Sequence, residues 1–429
     1  MAISFEGVKA SFYAKTKDEQ ARSFYKVLVP ILLFDVIVTV IACIMIYPNE
    51  DVSHYYYNIS DLVDNHLMPY SDYVFEYPPF TLVVFLIPKL LSWDLDSFRF
   101  AFCIFAAVFY CIFAHFTIKI TDRFNINRFY VMAFILAMIL FSHEFAVARN
   151  DIFAVALVAV SMYLFLERRY VPSSVILAMA VMIKIYPIIL IPVFMMILIS
   201  RREWKESFIF LVVSGLVCLL MEVPFLINDP STAFAYLTYH SDRGLQVEGV
   251  ASSVLLLINI FTPVIDSISV NYGSSELAGF IPDAVAGCLD ILQIAAMVAV
   301  LIWAAYRLYR YRGGDAFRSL AMISLLMIMA FITFSKVYSA QYMLWILALI
   351  PFIYIDHHKD TKFTKFVFVF GIMSLLSSAV AYSIGLHTDS AIPVIIVFLK
   401  NVVHVALMVY IIVLFRHVEP SGADTIITQ

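Results

Sequence analysis

Long apolar runs recur from one end of this 429-residue chain to the other, and lysine and arginine gather in the short gaps between alternate runs. Crossing about 30 Å of hydrocarbon takes roughly 20 apolar residues, and fewer where neighbouring helices shield the segment. Runs of this kind occupy 27–48, 97–120, 129–147, 152–166, 207–227, 284–306, 320–334, 342–355, 366–384 and 392–415. One further run, 171–200, is interrupted by Lys184 and Pro187. Proline cannot continue a helical hydrogen-bond ladder, so this run reads as two short helices bent at that point. Together these segments predict about twelve spans in an all-α, polytopic membrane helical bundle. Composition agrees, because 63% apolar residues, 14% charged residues and a mean hydropathy of +0.91 exclude a soluble globule.

Two more apolar runs, 80–92 and 250–261, are short for a crossing, and charge decides how they count. If neither crosses, 21 of the 28 lysines and arginines fall on one side, including Lys9 to Lys26, Arg201, Arg202, Lys205 and the Arg307 to Arg318 group. By the positive-inside rule that side is cytoplasmic and holds both termini. A crossing by either run would invert every later loop, so both read as external juxtamembrane helices. The chain then divides into a cytoplasmic arm (1–26), an N-terminal transmembrane module (27–227) with a first external loop at 49–79, a C-terminal module (228–416) with an external loop at 228–283, and a cytoplasmic tail (417–429). The first run is too long for a signal-peptide core and no small-residue cleavage site follows, so it reads as a retained helix. The five cysteines lie within or at the ends of apolar runs without CxxC spacing, indicating neither a disulfide framework nor a zinc site. A net charge of −4 argues against a nucleic-acid partner.

Five polar motifs fall on the predicted external face. The first loop holds Glu50, Asp51, Asp61, Asp64, Asp72 and Glu76 among tyrosines. Most of these read as a solvated face, but Asp51 follows the first span closely, where a carboxylate at a partly desolvated boundary can serve as a general base. Asp61 is the other candidate. Glu76 and Tyr77 stand before Pro78 and Pro79, which fix an extended entry into the 80–92 run. The second motif is Arg149, Asn150 and Asp151, where Asn150 or Asp151 can cap the next helix. His143 and Glu144, just beneath, are ionisable groups at membrane depth and should face a polar cavity. In the third, Met182 to Pro187, Lys184 lies between two apolar half-helices and must snorkel or meet an anion such as phosphate. The fourth, Tyr239 to Ser253, carries His240, Asp242, Arg243, Gln246 and Glu248. There Arg243 offers a planar fork for phosphate, with an internal pair to Glu248 as the alternative. The fifth, Ser335 to Trp345, presents Lys336, Gln341 and Tyr342, while an aromatic belt accounts for Tyr338, Tyr342 and Trp345.

An outward-facing pocket with several carboxylates and cations beside membrane-dipping helices suits a substrate with a charged head group and a lipid tail. The ordered strings DVSHYYY, PYSDYVFEYPPF, RND, KIYP, DRGLQVEGVASS and SAQYMLW, spread from Asp51 to Trp345, resemble the pattern of glycosyltransferase family 87 within the GT-C superfamily. The resemblance implies transfer of mannose or a related sugar from a polyprenyl-phosphate donor to a lipid or glycan acceptor on the non-cytoplasmic face of the cell membrane. It implies Asp51 as the catalytic base. The expected roles are then donor-phosphate binding by Lys184 and Arg243, with Lys336 and His240, and sugar or acceptor contacts by Glu76, Tyr77, Asp72, Arg149, Asn150, Asp151, Glu248, Gln341 and Tyr342. EGVASS departs from the ES-containing string usual in the family, so the family pattern carries over to Arg243 more directly than to Glu248. A monophosphate donor requires no divalent metal, and no cofactor is expected. Two other classes stay open: a lipid-linked glycan flippase, which should show inverted repeats not visible here, and a glycan polymerase or ligase using a lipid-diphosphate donor.

Overall fold

Residues 5–46, 50–124, 126–271, 273–310, 316–357, 361–386 and 390–417 are described by a computed structural model of the chain. Most of it is helix, and four of the helices begin where a side chain satisfies a first backbone donor. Thr16 and Glu19 form a capping box at the start of Lys17–Met45, and Asp94 and Ser97 do the same for Leu95–Arg123. Asn127 Oδ1 accepts the Phe129 N–H at 3.0 Å and opens Arg128–Ser142. The first long helix thus starts ten residues ahead of the apolar run at 27–48, because its cap lies in the polar arm.

Among the described residues, seven helices are long and apolar enough to cross a membrane: Lys17–Met45, Leu95–Arg123, Arg128–Ala146, Trp204–Asn228, Phe280–Arg310, Lys362–Ala381 and Ala391–Phe415. The other five of the twelve expected spans form shorter apolar helices. These short helices lie at the centre. Asp151–Leu166 buries eleven of its sixteen residues, whereas Phe280–Arg310 buries only Pro282, Leu289 and Ala304. A helix apolar on every side belongs inside a bundle. The run at 342–355, expected as one span, is divided into a 3-10 turn at Ala340–Tyr342 and helices at Met343–Leu347 and Ile350–His357. Pro351 explains the last break, since it has no N–H to give to the preceding turn. The runs at 80–92 and 250–261 yield helices of ten residues, Thr81–Leu90 and Val250–Asn259. At about 1.5 Å per residue each reaches only half the hydrocarbon thickness.

One element corrects the all-α expectation. Within 228–283 the strands β1 (Leu245–Gln246), β2 (Ser267–Asn271) and β3 (Ser274–Ala278) form an antiparallel sheet in the order β1-β3-β2. Each strand has at most five residues, too few for an alternating pattern to stand out, and the turn between β2 and β3 uses Gly273 at φ +68°. The sheet and the Val250–Asn259 helix share a small apolar core with Leu289, Ala381, Val394 and Val397, separate from the main core. That core presses the 242–253 segment onto the last helix, Ala391–His417.

Candidate active site

Asp51 occupies the first turn of the Asp51–Val63 helix, and a buried arginine holds that turn in place. Glu50 caps the helix, its Oε1 accepting the Ser53 N–H at 3.1 Å and the Ser53 hydroxyl at 2.9 Å. Arg99, 4% exposed, donates to Glu50 Oε1 at 2.9 Å, to Ser53 Oγ at 2.9 Å and to Asp96 Oδ1 at 2.6 Å. Beyond this clamp, the Asp51 carboxylate forms an ion pair with Arg149 Nη1.

Arg149 lies in the four-residue hinge between the 3-10 turn His143–Ala146 and the Asp151–Leu166 helix. Asn150 takes the N-cap position but makes no capping bond with its side chain. Its Oδ1 instead accepts from Lys184 Nζ at 3.1 Å, and its buried Nδ2 has no partner among the described residues. Asp151, fully buried, accepts from Lys184 Nζ at 3.2 Å and from Trp345 Nε1 at 2.7 Å. A carboxylate at a helix N-terminus is favoured by the helix dipole as well.

Lys184 lies in the break between Tyr170–Val181 and the 3-10 turn Tyr186–Leu190, as the sequence indicates. It meets an anion, and that anion is Asp151. The break is fixed from the side: Thr81 Oγ1 donates to the Ile183 carbonyl at 2.7 Å, and Lys184 Nζ sits 5.3 Å from the centroid of the Tyr77 ring. Tyr77 is buried with its ring edge-on to Tyr55 at 5.8 Å, and burial pushes its hydroxyl well above the usual range. The EYPP string therefore brings Tyr77 against the lysine.

Above this layer runs an aromatic stack. Tyr186, Trp345 and Tyr342 lie face to face with centroids 4.0 and 3.9 Å apart. Trp345, expected in an aromatic belt, is 3% exposed and committed to Asp151. Arg243, Asp151 and Glu76 all act electrostatically on the Tyr342 hydroxyl, so it lies among the clustered charges.

The external loop supplies the other side. Arg243 is buried and faces Glu276 of β3 at 3.6 Å rather than Glu248, because the register pairs Gln246 with Glu276 across the sheet. Arg243 Nη2 donates to Ser274, while its Nε makes no hydrogen bond among the described residues. Glu248 is buried, and its Oε1 has no hydrogen-bond partner among the described residues. Burial pushes the Glu248 carboxyl up, and Lys400 first and Arg149 second pull it back.

Other candidates lie apart. Asp72 is exposed and accepts the Met68 N–H at 2.7 Å, closing its own turn. Asp61 is bonded to Asn65. Lys336 pairs with Asp290 at 3.1 Å, and Gln341 is half-buried in the Ala340–Tyr342 turn. The His240 side chain lies outside the described residues. His143 is paired with Asp35 at 2.8 Å, a partner from the first long helix. Among the described residues, no three or more His, Cys, Asp or Glu side chains converge as a metal site.

Sequence reasoning passed over Arg99, and it treated the last apolar helix as featureless. That helix carries Lys400, Asn401 and His404, all at most 2% exposed. The signal was present, since ionisable residues at membrane depth are costly and mark sites.

Compared with known families, the chain matches the model described as Glycosyltransferase family 87 over residues 75–335, more than half its length. No curated protein matches it.

Proposed function

The chain belongs to glycosyltransferase family 87 and is a multi-pass membrane glycosyltransferase, and from that premise we propose that it transfers mannose from a polyprenyl-phosphate donor, with inversion at the anomeric carbon, to a lipid or glycan acceptor on the non-cytoplasmic face of the cell membrane. One observation carries this proposal: the segment Arg149–Asn150–Asp151 touches Asp51 at one end and Lys184 at the other. A base and a phosphate-binding cation thus flank a single short hinge.

In the proposed reaction the acceptor oxygen attacks the anomeric carbon as the bond from that carbon to the phosphate oxygen breaks. The acceptor proton passes to the Asp51 carboxylate, and the bonding pair leaves on the polyprenyl phosphate. Arg149 holds Asp51 in orientation and gives way as the acceptor hydroxyl arrives. Lys184 and Arg243 stabilise the leaving phosphate, because preorganised cations in a water-poor site favour a developing anion most. Both now rest against carboxylates, and Arg243 Nε, 3.6 Å from Glu276 Oε1, is beyond hydrogen-bond distance there. Asn150 Nδ2 and Glu248 Oε1, buried without hydrogen-bond partners among the described residues, and Glu76 and Tyr77 are the proposed contacts to sugar and acceptor hydroxyls. Tyr342 completes the wall against which the sugar rests. No metal or cofactor enters the scheme.

The test is release of polyprenyl phosphate by the purified protein from polyprenyl-phosphate mannose, with the polyprenyl-diphosphate sugar as control. Release from the monophosphate, lost in Asp51→Asn, is the expected result. Undiminished release in Asp51→Asn would remove Asp51 as the base, and turnover of the diphosphate alone would point to a ligase.

A further inference from the structure

Thr81 has no place in the chemistry above, yet it is fully buried and its hydroxyl reaches a residue 102 positions away, donating to the Ile183 carbonyl at 2.7 Å. The sequence explains why that carbonyl is free. In a continuing helix it would accept from the residue four positions on, which is Pro187 and has no N–H. The helix Tyr170–Val181 stops just before, and Lys184 stands in the break with its own N–H bonded to the Ala180 carbonyl at 3.0 Å. The proline that keeps the break open thus leaves an acceptor beside Lys184, and Thr81 takes it.

Thr81 is itself held in place. It ends the segment 77–81, whose two prolines each fix a φ angle, and its N–H bonds the Pro78 carbonyl at 3.1 Å. At the other end Tyr70, buried and at φ +71°, donates its hydroxyl to the Tyr77 carbonyl at 2.6 Å. A side chain adopts that left-handed backbone only where surrounding contacts impose it, and here the Tyr70 ring lies edge-on to Phe225 at 5.0 Å and to Phe75 at 5.6 Å. The segment therefore meets the break at two points. The Thr81 hydroxyl holds the carbonyl just before Lys184, and the Tyr77 ring lies 5.3 Å from its ammonium.

We propose that Thr81 is a positioning residue for Lys184: by holding the carbonyl that Pro187 leaves free, it fixes the break from which the lysine reaches the leaving phosphate. The effect on turnover rests on the transferase reading, whereas the effect on a bound phosphate lipid does not. A misplacement of about 1 Å can cost as much as a hundredfold in rate, so the loss of this one bond should be visible in turnover.

The experiment compares Thr81→Val, close in shape but without the hydroxyl, with Thr81→Ser, which keeps it, in the full-length protein. Thr81→Val is also made in a Lys184→Met, Asp151→Asn background, where no buried carboxylate is left without its cation. With polyprenyl-phosphate mannose, Thr81→Val should lower kcat about tenfold with less than about a threefold change in KM, the pattern of an interaction made in the transition state. Thr81→Ser should stay within about threefold of the wild type, since the hydrogen bond survives. In the background without Lys184, Thr81→Val should cost less than about twofold, because the residue it positions is gone. A hydroxyl that only stabilises the fold would leave kcat unchanged or lower it equally in both backgrounds. Full kcat in Thr81→Val, an equal loss without Lys184, or Thr81→Ser falling to the level of Thr81→Val overturns the proposal. Thr81→Ala replaces Thr81→Val should the latter not fold, and failure of both makes the bond one that holds the fold and overturns the proposal as well. Binding of polyprenyl phosphate, which carries the full charge of the leaving group, separates this inference from the reading it rests on. Suppose the wild type binds that lipid without turning over the mannosyl donor, and Thr81→Val weakens binding by about threefold or more only where Lys184 is present. The transferase reading then fails and the positioning of Lys184 stands. Equal weakening in both backgrounds overturns the positioning, and a wild type that neither binds nor turns over overturns both.

Discussion

Two polar clusters in this bundle are built differently. The first, Asp51, Arg149, Asn150, Asp151 and Lys184, comes from helix ends and breaks within the N-terminal part of the chain. Its Asp51, Arg149 and Lys184 side chains are 34%, 26% and 14% exposed. The second, Glu248 with Lys400 and Asn401, joins a loop to the middle of a helix 152 residues later, and is more deeply buried. Charges at helix ends can reach water or substrate while their backbone donors remain satisfied, so that cluster can exchange partners. Charges inside a continuous helix must be paired within the fold, so the second cluster holds geometry. The first should therefore govern turnover and the second should govern position.

That division can be broken most directly at Asp51. Asp51→Asn should reduce release of polyprenyl phosphate by roughly a thousandfold, within the range of a lost general base, while melting shifts little. A comparable loss of stability would place Asp51 among the structural pairs. Lys184→Met should lower turnover about a hundredfold and destabilise by about 3 kcal/mol, because Asp151 is left buried without its cation. Adding Asp151→Asn should restore much of the melting temperature but not the turnover, which separates the two roles of that lysine. In Trp345→Phe the stacking surface remains while the hydrogen bond to Asp151 is lost, so about 1.5–2 kcal/mol of stability should go. The smallest effect is expected at Lys336→Gln. Its partner Asp290 is 56% exposed, so stability should change by less than about 1 kcal/mol and turnover by less than about threefold. A large loss of turnover there would bring Lys336 back into donor binding.

Much of the first cluster was legible because its signals are local. A lysine between apolar half-helices must meet an anion, and Lys184 does. Arg149, Asn150 and Asp151 interrupt two apolar runs, and a polar triplet in that position stands out in any hydropathy profile. The identity of each partner was not legible. Trp345 reads the same in a lipid-facing belt as in a core, and only packing put it on Asp151. Arg243 had Glu248 near in sequence and found Glu276 instead, because a short sheet brought β3 alongside. The family match spans 75–335, so Asp51, Tyr342, Trp345 and Lys400 fall outside it and are tied to the site by geometry alone.

By itself the sequence determined that this chain is a membrane bundle, where its helices break and which polar residues those breaks expose, because hydrocarbon penalises every unpaired charge and every unsatisfied backbone group. Tertiary structure alone decided which charge faces which. An ion pair depends on distances of a few ångströms between residues tens to hundreds of positions apart, and no periodicity along the chain encodes that separation. Asp51 on Arg149, Lys184 on Asp151 and Lys400 beside Glu248 are outcomes of packing, and the proposed chemistry depends on the first two.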